Sequence, residues 1–269
     1  MTNQLQESFP DVSTRAHMRE SGLWQIDVHV PSGHSPLELN KSTNYLVQSF
    51  LAAFQGLCRV VSGHYDIVTF DSSGKVLESE EVQPLRLARG ASTNKIAAYN
   101  FLMPDQWRDG HWSRESSASS QSDSTVLMDE LTAIGRSKPN SCFTALFLDC
   151  DTHVFIPDAH GQLHREWVPN SALFYVGYVL EPRDDDPDVL EATGGMVSFQ
   201  TSIDVWVERT RDPKKPSLQH DNSRVAKRNQ PLLDQSLRAW EQFVEMPITE
   251  WHSRYHGNQI MRYGFKLSS

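Results

Sequence analysis

The chain has 269 residues, of which 38% are hydrophobic and 22% charged, an ordinary globular composition with enough length for one large domain or two small ones. Its 25 basic and 34 acidic residues give a net charge of −9, which excludes a protein that coats nucleic acid with its whole surface. No stretch approaches the ~18 apolar residues of a membrane span, so we expect no membrane-embedded segment.

The N-terminal region and the cysteines indicate a cellular location. Residues 1–20 are polar and lack the apolar core of a secretory signal, so we expect a flexible lead-in. The three widely spaced cysteines predict buried free thiols rather than a disulfide framework. We therefore expect a cytoplasmic protein.

The first half of the chain predicts a strand, a long helix and a hairpin. Apolar and polar residues alternate over 23–30, which is typical of a half-buried strand. Apolar side chains at three- and four-residue steps predict a helix over about 41–62, capped by Asn40 or Ser42 and ended by Gly63. Residues 65–81 predict a β-hairpin around a turn at 71–74, and a further short strand is expected near 96–102.

A serine-rich run over 113–124 is the best candidate for a domain boundary. It has no apolar anchor, so we expect a flexible loop or linker. It would separate an α+β part over 21–112 from a β-rich part over 125–269. The alternative is that both parts form one continuous domain.

The second half predicts consecutive strands followed by one helix. The predicted C-terminal helix covers about 231–246, with Asn229 as its cap and Pro231 in its first turn. Because strands follow one another without intervening helices, we expect an α+β fold with a mostly antiparallel sheet. Strand composition is found over 142–148, 153–156, 163–168, 172–180 and 196–207.

Two aspartates form the first candidate site. Asp149 and Asp151 are two residues apart at the end of an apolar strand, so they point to the same face. Together with Asp158 and Asp204 they would supply the oxygen ligands that Mg²⁺ or Mn²⁺ prefers. The alternative is that Asp149 and Asp151 are turn residues whose carboxylates accept backbone N–H groups.

The stretch around these aspartates resembles a known family. The segment FTALFLDCDTHVFIPDAHG over 143–161 is similar to the metal-binding strand of diguanylate-cyclase (GGDEF-type) palm domains, an apolar run followed by D-x-D and I-x-D-x-x-G. Asp129-Glu130-Leu131-Thr132 matches the D-x-L-T of that family, and Gly194-Gly195 matches its paired glycines. Met196-Val197-Ser198 follow these glycines where the family has acidic residues, so the resemblance is partial. It implies a metal-dependent nucleotidyl- or phosphoryl-transfer enzyme.

A basic segment forms the second candidate site. Residues 209–228 contain seven basic and two acidic residues, so they carry +5 and leave −14 for the rest of the chain. Two prolines and few apolar residues predict an exposed loop. Such a segment is suited to contacting phosphates or an acidic partner, and its alternative is a solvated loop that pairs with the protein's own acidic surface. Its cations are Arg209, Arg211, Lys214, Lys215, Arg224, Lys227 and Arg228.

These observations support three hypotheses of function. Since the sequence contains no complete catalytic motif, we expect a non-catalytic binding or assembly subunit of a larger complex, without a cofactor, that has a protein partner and contacts nucleic-acid phosphates through the segment 209–228. The alternative is the metal-dependent transferase, with Mg²⁺ or Mn²⁺ held at Asp149 and Asp151. A second alternative is a small-molecule pocket protein, in which a curved sheet encloses the helix over 231–246.

Overall fold

The computed structural model describes residues 21–31, 33, 35–87, 124–157, 162–211, 219–254 and 256–268. These residues form three α-helices, eleven strands and a short 3-10 turn. The helices are α1 (Pro36–Ala53), α2 (Ser124–Ser137) and α3 (Ser223–Val244), and the 3-10 turn is Asp204–Trp206.

Seven strands form one antiparallel sheet in the order β3-β2-β4-β5-β6-β1-β9. The predicted α+β class with a mostly antiparallel sheet is therefore confirmed. The strands of this sheet are β1 (Gly22–Val28), β2 (Cys58–Phe70), β3 (Val76–Pro84), β4 (Ser141–Pro157), β5 (Leu163–Pro182), β6 (Leu190–Thr201) and β9 (Glu250–His252). Two separate hairpins pair β7 (Arg209–Arg211) with β8 (Gln219–Asp221), and β10 (Ile260–Met261) with β11 (Gly264–Phe265).

Aromatic side chains fill the space between the sheet and the helices. Phe50 of α1 stacks on Phe174 of β5 with ring centroids 4.1 Å apart, and Phe54 lies 4.3 Å from Phe199 of β6. Trp240 of α3 contacts Phe54 edge-on, and all five rings are fully buried. Each buried ring contributes roughly 1.5–3 kcal/mol to folding, so this cluster fixes α1 and α3 on one face of the sheet.

Helix α1 differs from its prediction at both ends. It begins at Pro36, where the Ser35 side chain accepts the Glu38 N–H and the Glu38 carboxylate accepts the Ser35 N–H, which is a capping box. It ends at Ala53, because Gly56 adopts a φ of +79° and the chain then turns into β2. The predicted helix over 41–62 is therefore wrong in including 58–62, which belong to a strand.

Helix α3 begins eight residues before the predicted start at 231. Asn229 was predicted to be its cap, but it lies inside the helix and is fully buried. Pro231 likewise lies within the helix rather than in its first turn. The polar residue Asn229 interrupts the apolar stripe that continues through Val225 and Leu233, which explains why the apolar pattern alone placed the start too late.

The remaining elements correct the strand boundaries. The strands predicted over 142–148 and 153–156 form the single strand β4, and those predicted over 163–168 and 172–180 form β5. Helix α2 was not predicted, although Leu127, Leu131 and Ile134 form a buried stripe along it. The lead-in over 1–20, the strand near 96–102 and residues 113–123 of the serine-rich run lie outside the described residues.

Strands from both sides of the serine-rich run meet in the same sheet. β2 precedes the run and β4 follows it, yet the two pair directly from Cys58–Thr152 to Thr69–Ser141. The described residues on both sides of the predicted boundary therefore share one sheet. A linker function for the run itself stays a prediction.

All three cysteines are free thiols, as predicted. Cys142 and Cys150 are buried, and burial raises the pKa of Cys142 to about 12. Cys58 is only partly buried. Among the described helices, none has both the length and the apolar character needed to cross a bilayer.

Candidate functional site

Asp149 and Asp151 lie in the middle of β4 and not at its end. The Ser62 hydroxyl of β2 donates to Asp149 Oδ2 at 2.5 Å. The Arg59 guanidinium donates to Asp151 Oδ2 through Nε at 3.0 Å and Nη2 at 2.8 Å. The prediction that these aspartates are turn residues is therefore wrong, because β4 continues without interruption to Pro157.

The other predicted metal ligands are not brought to this position. Asp204 lies in the 3-10 turn after β6, where its Oδ1 accepts the Ser21 hydroxyl at 2.7 Å and lies 3.0 Å from His256 Nε2. Asp158 is outside the described residues. Within the described ranges, no group of three or more His, Cys, Asp or Glu side chains is arranged to hold a metal ion. The Mg²⁺ or Mn²⁺ site at Asp149 and Asp151 therefore stays a prediction that no observation favours.

The paired glycines of the palm resemblance also lie away from the aspartates. Asp149 pairs with Leu173 of β5, whereas Gly195 of β6 pairs with Tyr178 of β5. Five residues along β5 separate these two positions, which is about 17 Å at the usual strand rise. The aspartates and the glycines therefore do not line one compact site.

The basic segment is built from a hairpin and a helix start. Arg209 and Arg211 belong to β7, whose partner β8 ends at Asp221. Arg224, Lys227 and Arg228 lie in the first two turns of α3, so the predicted loop is wrong for this end of the segment. Lys214 and Lys215 lie outside the described residues. The described cations with exposed side chains, Arg209, Arg224, Lys227 and Arg228, are called the basic surface below.

The electrostatic surroundings of Asp221 indicate that a cation of β7 and a cation of α3 both lie near its carboxylate. Its pKa is lowered mainly by hydrogen bonds from the Ser223 hydroxyl and N–H, with further lowering by the charges of Arg209 and Lys227. Arg209 sits opposite Asp221 in the hairpin, and Lys227 is one turn into the helix. The hairpin and the helix therefore each place one cation, Arg209 and Lys227, near Asp221.

Trp167 and His153 pack beside the Arg59–Asp151 ion pair. The Arg59 guanidinium lies 4.5 Å above the Trp167 ring, and His153 stacks on Trp167 with centroids 4.7 Å apart. Trp167 thus contacts a cation and an imidazole. Burial lowers the pKa of His153, and the charges of Arg165 and Arg59 lower it further, which favours the neutral imidazole.

Sequence reasoning missed Arg59 and Trp167 as site residues. Arg59 was assigned to the predicted helix over 41–62, where it would lie on a different face from the apolar stripe. The β-branched pair Val60-Val61 beside it favours a strand and was the available signal. The contact between residues more than one hundred positions apart has no signature in one sequence.

Comparison with known proteins finds no family model, no curated protein and no solved structure that matches this chain. The partial resemblance to palm domains gains no support from it. Function is therefore inferred from the residues of this chain alone.

Proposed function

We propose that this protein is a non-catalytic binding subunit of a larger complex and that it contacts nucleic-acid phosphates through the basic surface. One observation carries the proposal. Four exposed cations lie within twenty residues, one on β7 and three in the first two turns of α3, in a chain whose net charge is −9. A cluster of cations on an acidic protein is the local feature that a polyanion would recognise.

The helix part of the basic surface has a spacing suited to a phosphate backbone. Arg224, Lys227 and Arg228 are three and four residues apart, so they lie on the same side of α3. The helical rise places the first and last of them about 6 Å apart along the axis. Arginine binds a phosphate through two parallel N–H donors, and lysine acts as a point charge.

The charge of the remaining surface limits the strength of this contact. Outside 209–228 the chain carries −14, so a polyanion is repelled except close to the basic surface. Screening reduces the interaction over about 8–10 Å at physiological salt. We therefore expect a modest affinity with a steep salt dependence. Four phosphate contacts with a single strand correspond to a slope of about −3 in a plot of log K against log salt.

The test is a salt titration with a fluorescein-labelled single-stranded oligonucleotide, followed by fluorescence anisotropy. The variant Arg224→Gln/Lys227→Gln/Arg228→Gln removes three of the four cations but keeps helix-forming side chains. We expect this variant to bind about tenfold more weakly or worse at low salt. The slope of its plot of log K against log salt should change from about −3 to about −1.

A matched control separates local contact from overall charge. The variant Lys41→Gln/Arg136→Gln/Arg183→Gln also removes two arginines and one lysine, all exposed and all outside the basic surface. We expect it to keep the wild-type slope. Equal weakening in both triple variants, or absence of wild-type binding at low salt, would contradict the proposal.

The proposal also includes the cellular setting. We place the protein in the cytoplasm, because three free thiols are typical of a reducing compartment. The larger complex includes at least one protein partner.

A further inference from the structure

A cleft of about 930 Å³ opens where the end of α1, the start of β2 and the first turn of α2 meet. This volume lies within the range of roughly 300–1,000 Å³ that is usual for small-molecule sites. None of the residues that line the cleft belongs to the basic surface. The cleft is therefore a separate feature of the molecule.

The cleft combines apolar walls with a few polar groups. Leu51 of α1 and Met128 of α2, both partly exposed, supply apolar surface. Gln55 and Thr125 add an amide and a hydroxyl, both exposed. Apolar walls with a small number of polar groups are the usual lining of a site for a small organic molecule.

Arg59 is held rigidly in the wall of this cleft. Asp151 accepts two of its five N–H groups, and Trp167 lies beneath the guanidinium plane. Asp151 has a side chain only 6% exposed, whereas that of Arg59 is 26% exposed. Among the described residues no other acceptor is bonded to this guanidinium, so its remaining N–H donors are available to a ligand. A side chain already fixed by such contacts loses little entropy when it binds.

A second guanidinium lies near this end of the cleft. Arg165 donates to the carbonyl of Gly56, a lining residue, at 3.0 Å, and Arg59 is itself a lining residue. The Cys58 thiol in the cleft adds no negative charge. Burial raises its pKa, and the Asp151 charge raises it further.

We propose that this cleft binds a small organic acid, whose carboxylate pairs with Arg59 and whose apolar body packs against Leu51 and Met128. One planar guanidinium offering a pair of donors matches one carboxylate. A polyphosphate would need more cations than the two present here. The site goes beyond the proposed nucleic-acid contact and does not depend on it.

The test uses the full chain and measures binding by isothermal titration calorimetry. The probes are benzoate, cinnamate and decanoate, each compared with its own uncharged amide. We expect at least one acid to bind about tenfold more tightly than its amide, since only the acid forms a charge-assisted contact with Arg59.

Three variants locate the binding. Arg59→Gln/Asp151→Asn removes both charges and leaves neutral hydrogen-bonding groups, and we expect it to abolish the preference for the acid. Arg183→Gln/Asp185→Asn removes an exposed ion pair elsewhere and should change nothing. Ala52→Phe adds a ring to an exposed lining residue without touching the ion pair, and it should weaken the binding of acid and amide alike. Absence of binding by every acid, equal affinity for acid and amide, or insensitivity to Ala52→Phe would overturn the proposal.

Discussion

Asn229→Ala is expected to lower the free energy of unfolding by about 3 kcal/mol. The Asn229 side chain acts in place of a neighbouring strand. Its Oδ1 accepts the Phe155 N–H at 2.7 Å, and its Nδ2 donates to the Phe155 carbonyl at 2.8 Å. β2 pairs with β4 only as far as Thr152, so Asn229 satisfies backbone groups beyond the point where that pairing stops.

The magnitude follows from what alanine leaves behind. Asn229 is fully buried, and each buried backbone group without a partner costs about 1–3 kcal/mol. Chemical denaturation measures the change. Lys227→Ala, on the exposed side of the same helix, is the control and should stay within about 0.5 kcal/mol of wild type. If the two variants are equally stable, Asn229 does not hold β4.

Asp151→Ala is expected to destabilise the fold by about 2 kcal/mol, because it leaves the Arg59 charge without its carboxylate. Arg59 is partly exposed and can recover some hydration, which keeps the loss below that of a fully buried pair. The expected loss of stability is still larger than the loss from breaking an exposed ion pair. Asp185→Ala breaks the exposed Arg183–Asp185 pair and should change stability by less than about 0.5 kcal/mol.

A second variant distinguishes the loss of the pair from the loss of packing. Arg59→Met/Asp151→Leu removes both charges and keeps apolar bulk, so it should be more stable than Asp151→Ala alone. Thermal and urea unfolding of the wild type, Asp151→Ala and Arg59→Met/Asp151→Leu measure the differences in stability. A double variant that is less stable than Asp151→Ala would show that the ion pair is not the source of the effect.

Regular patterns predicted the fold class and several elements. β1 alternates strictly between buried and more exposed positions, and the turn at 71–74 in the β2–β3 hairpin is held by the Asp71 side chain, which accepts the Ser73 and Lys75 N–H groups. Both signals are local, so one sequence contains them. An antiparallel sheet followed from the succession of such strands.

Helix starts were predicted less well, for identifiable reasons. The true start of α1 carries a capping box and Pro36 at its first position, five residues before the predicted start at 41. In α3, Asn229 and Pro231 are both typical of a helix start, and both lie inside the helix. A buried asparagine that bonds to another strand cannot be distinguished from a cap without the tertiary structure.

The candidate sites also combine local features that the sequence shows with tertiary contacts that it does not show. The excess of charge over 209–228 is visible in the sequence, whereas its division between a hairpin and a helix is not. Arg59 and Asp151 are 92 positions apart, and their pairing depends on the register of β2 against β4. The sequence predicted Asp151 as a metal ligand and could not predict that it pairs with an arginine.

Photocrosslinking tests the proposed nucleic-acid contact most directly. The wild-type protein is irradiated with single-stranded RNA containing thiouridine, and the crosslinked peptides are mapped by mass spectrometry. We expect crosslinks within β7, β8 and the first two turns of α3, and their loss in the Arg224→Gln/Lys227→Gln/Arg228→Gln variant. Crosslinks that lie only elsewhere on the chain, or an equal yield from that variant, would contradict the account.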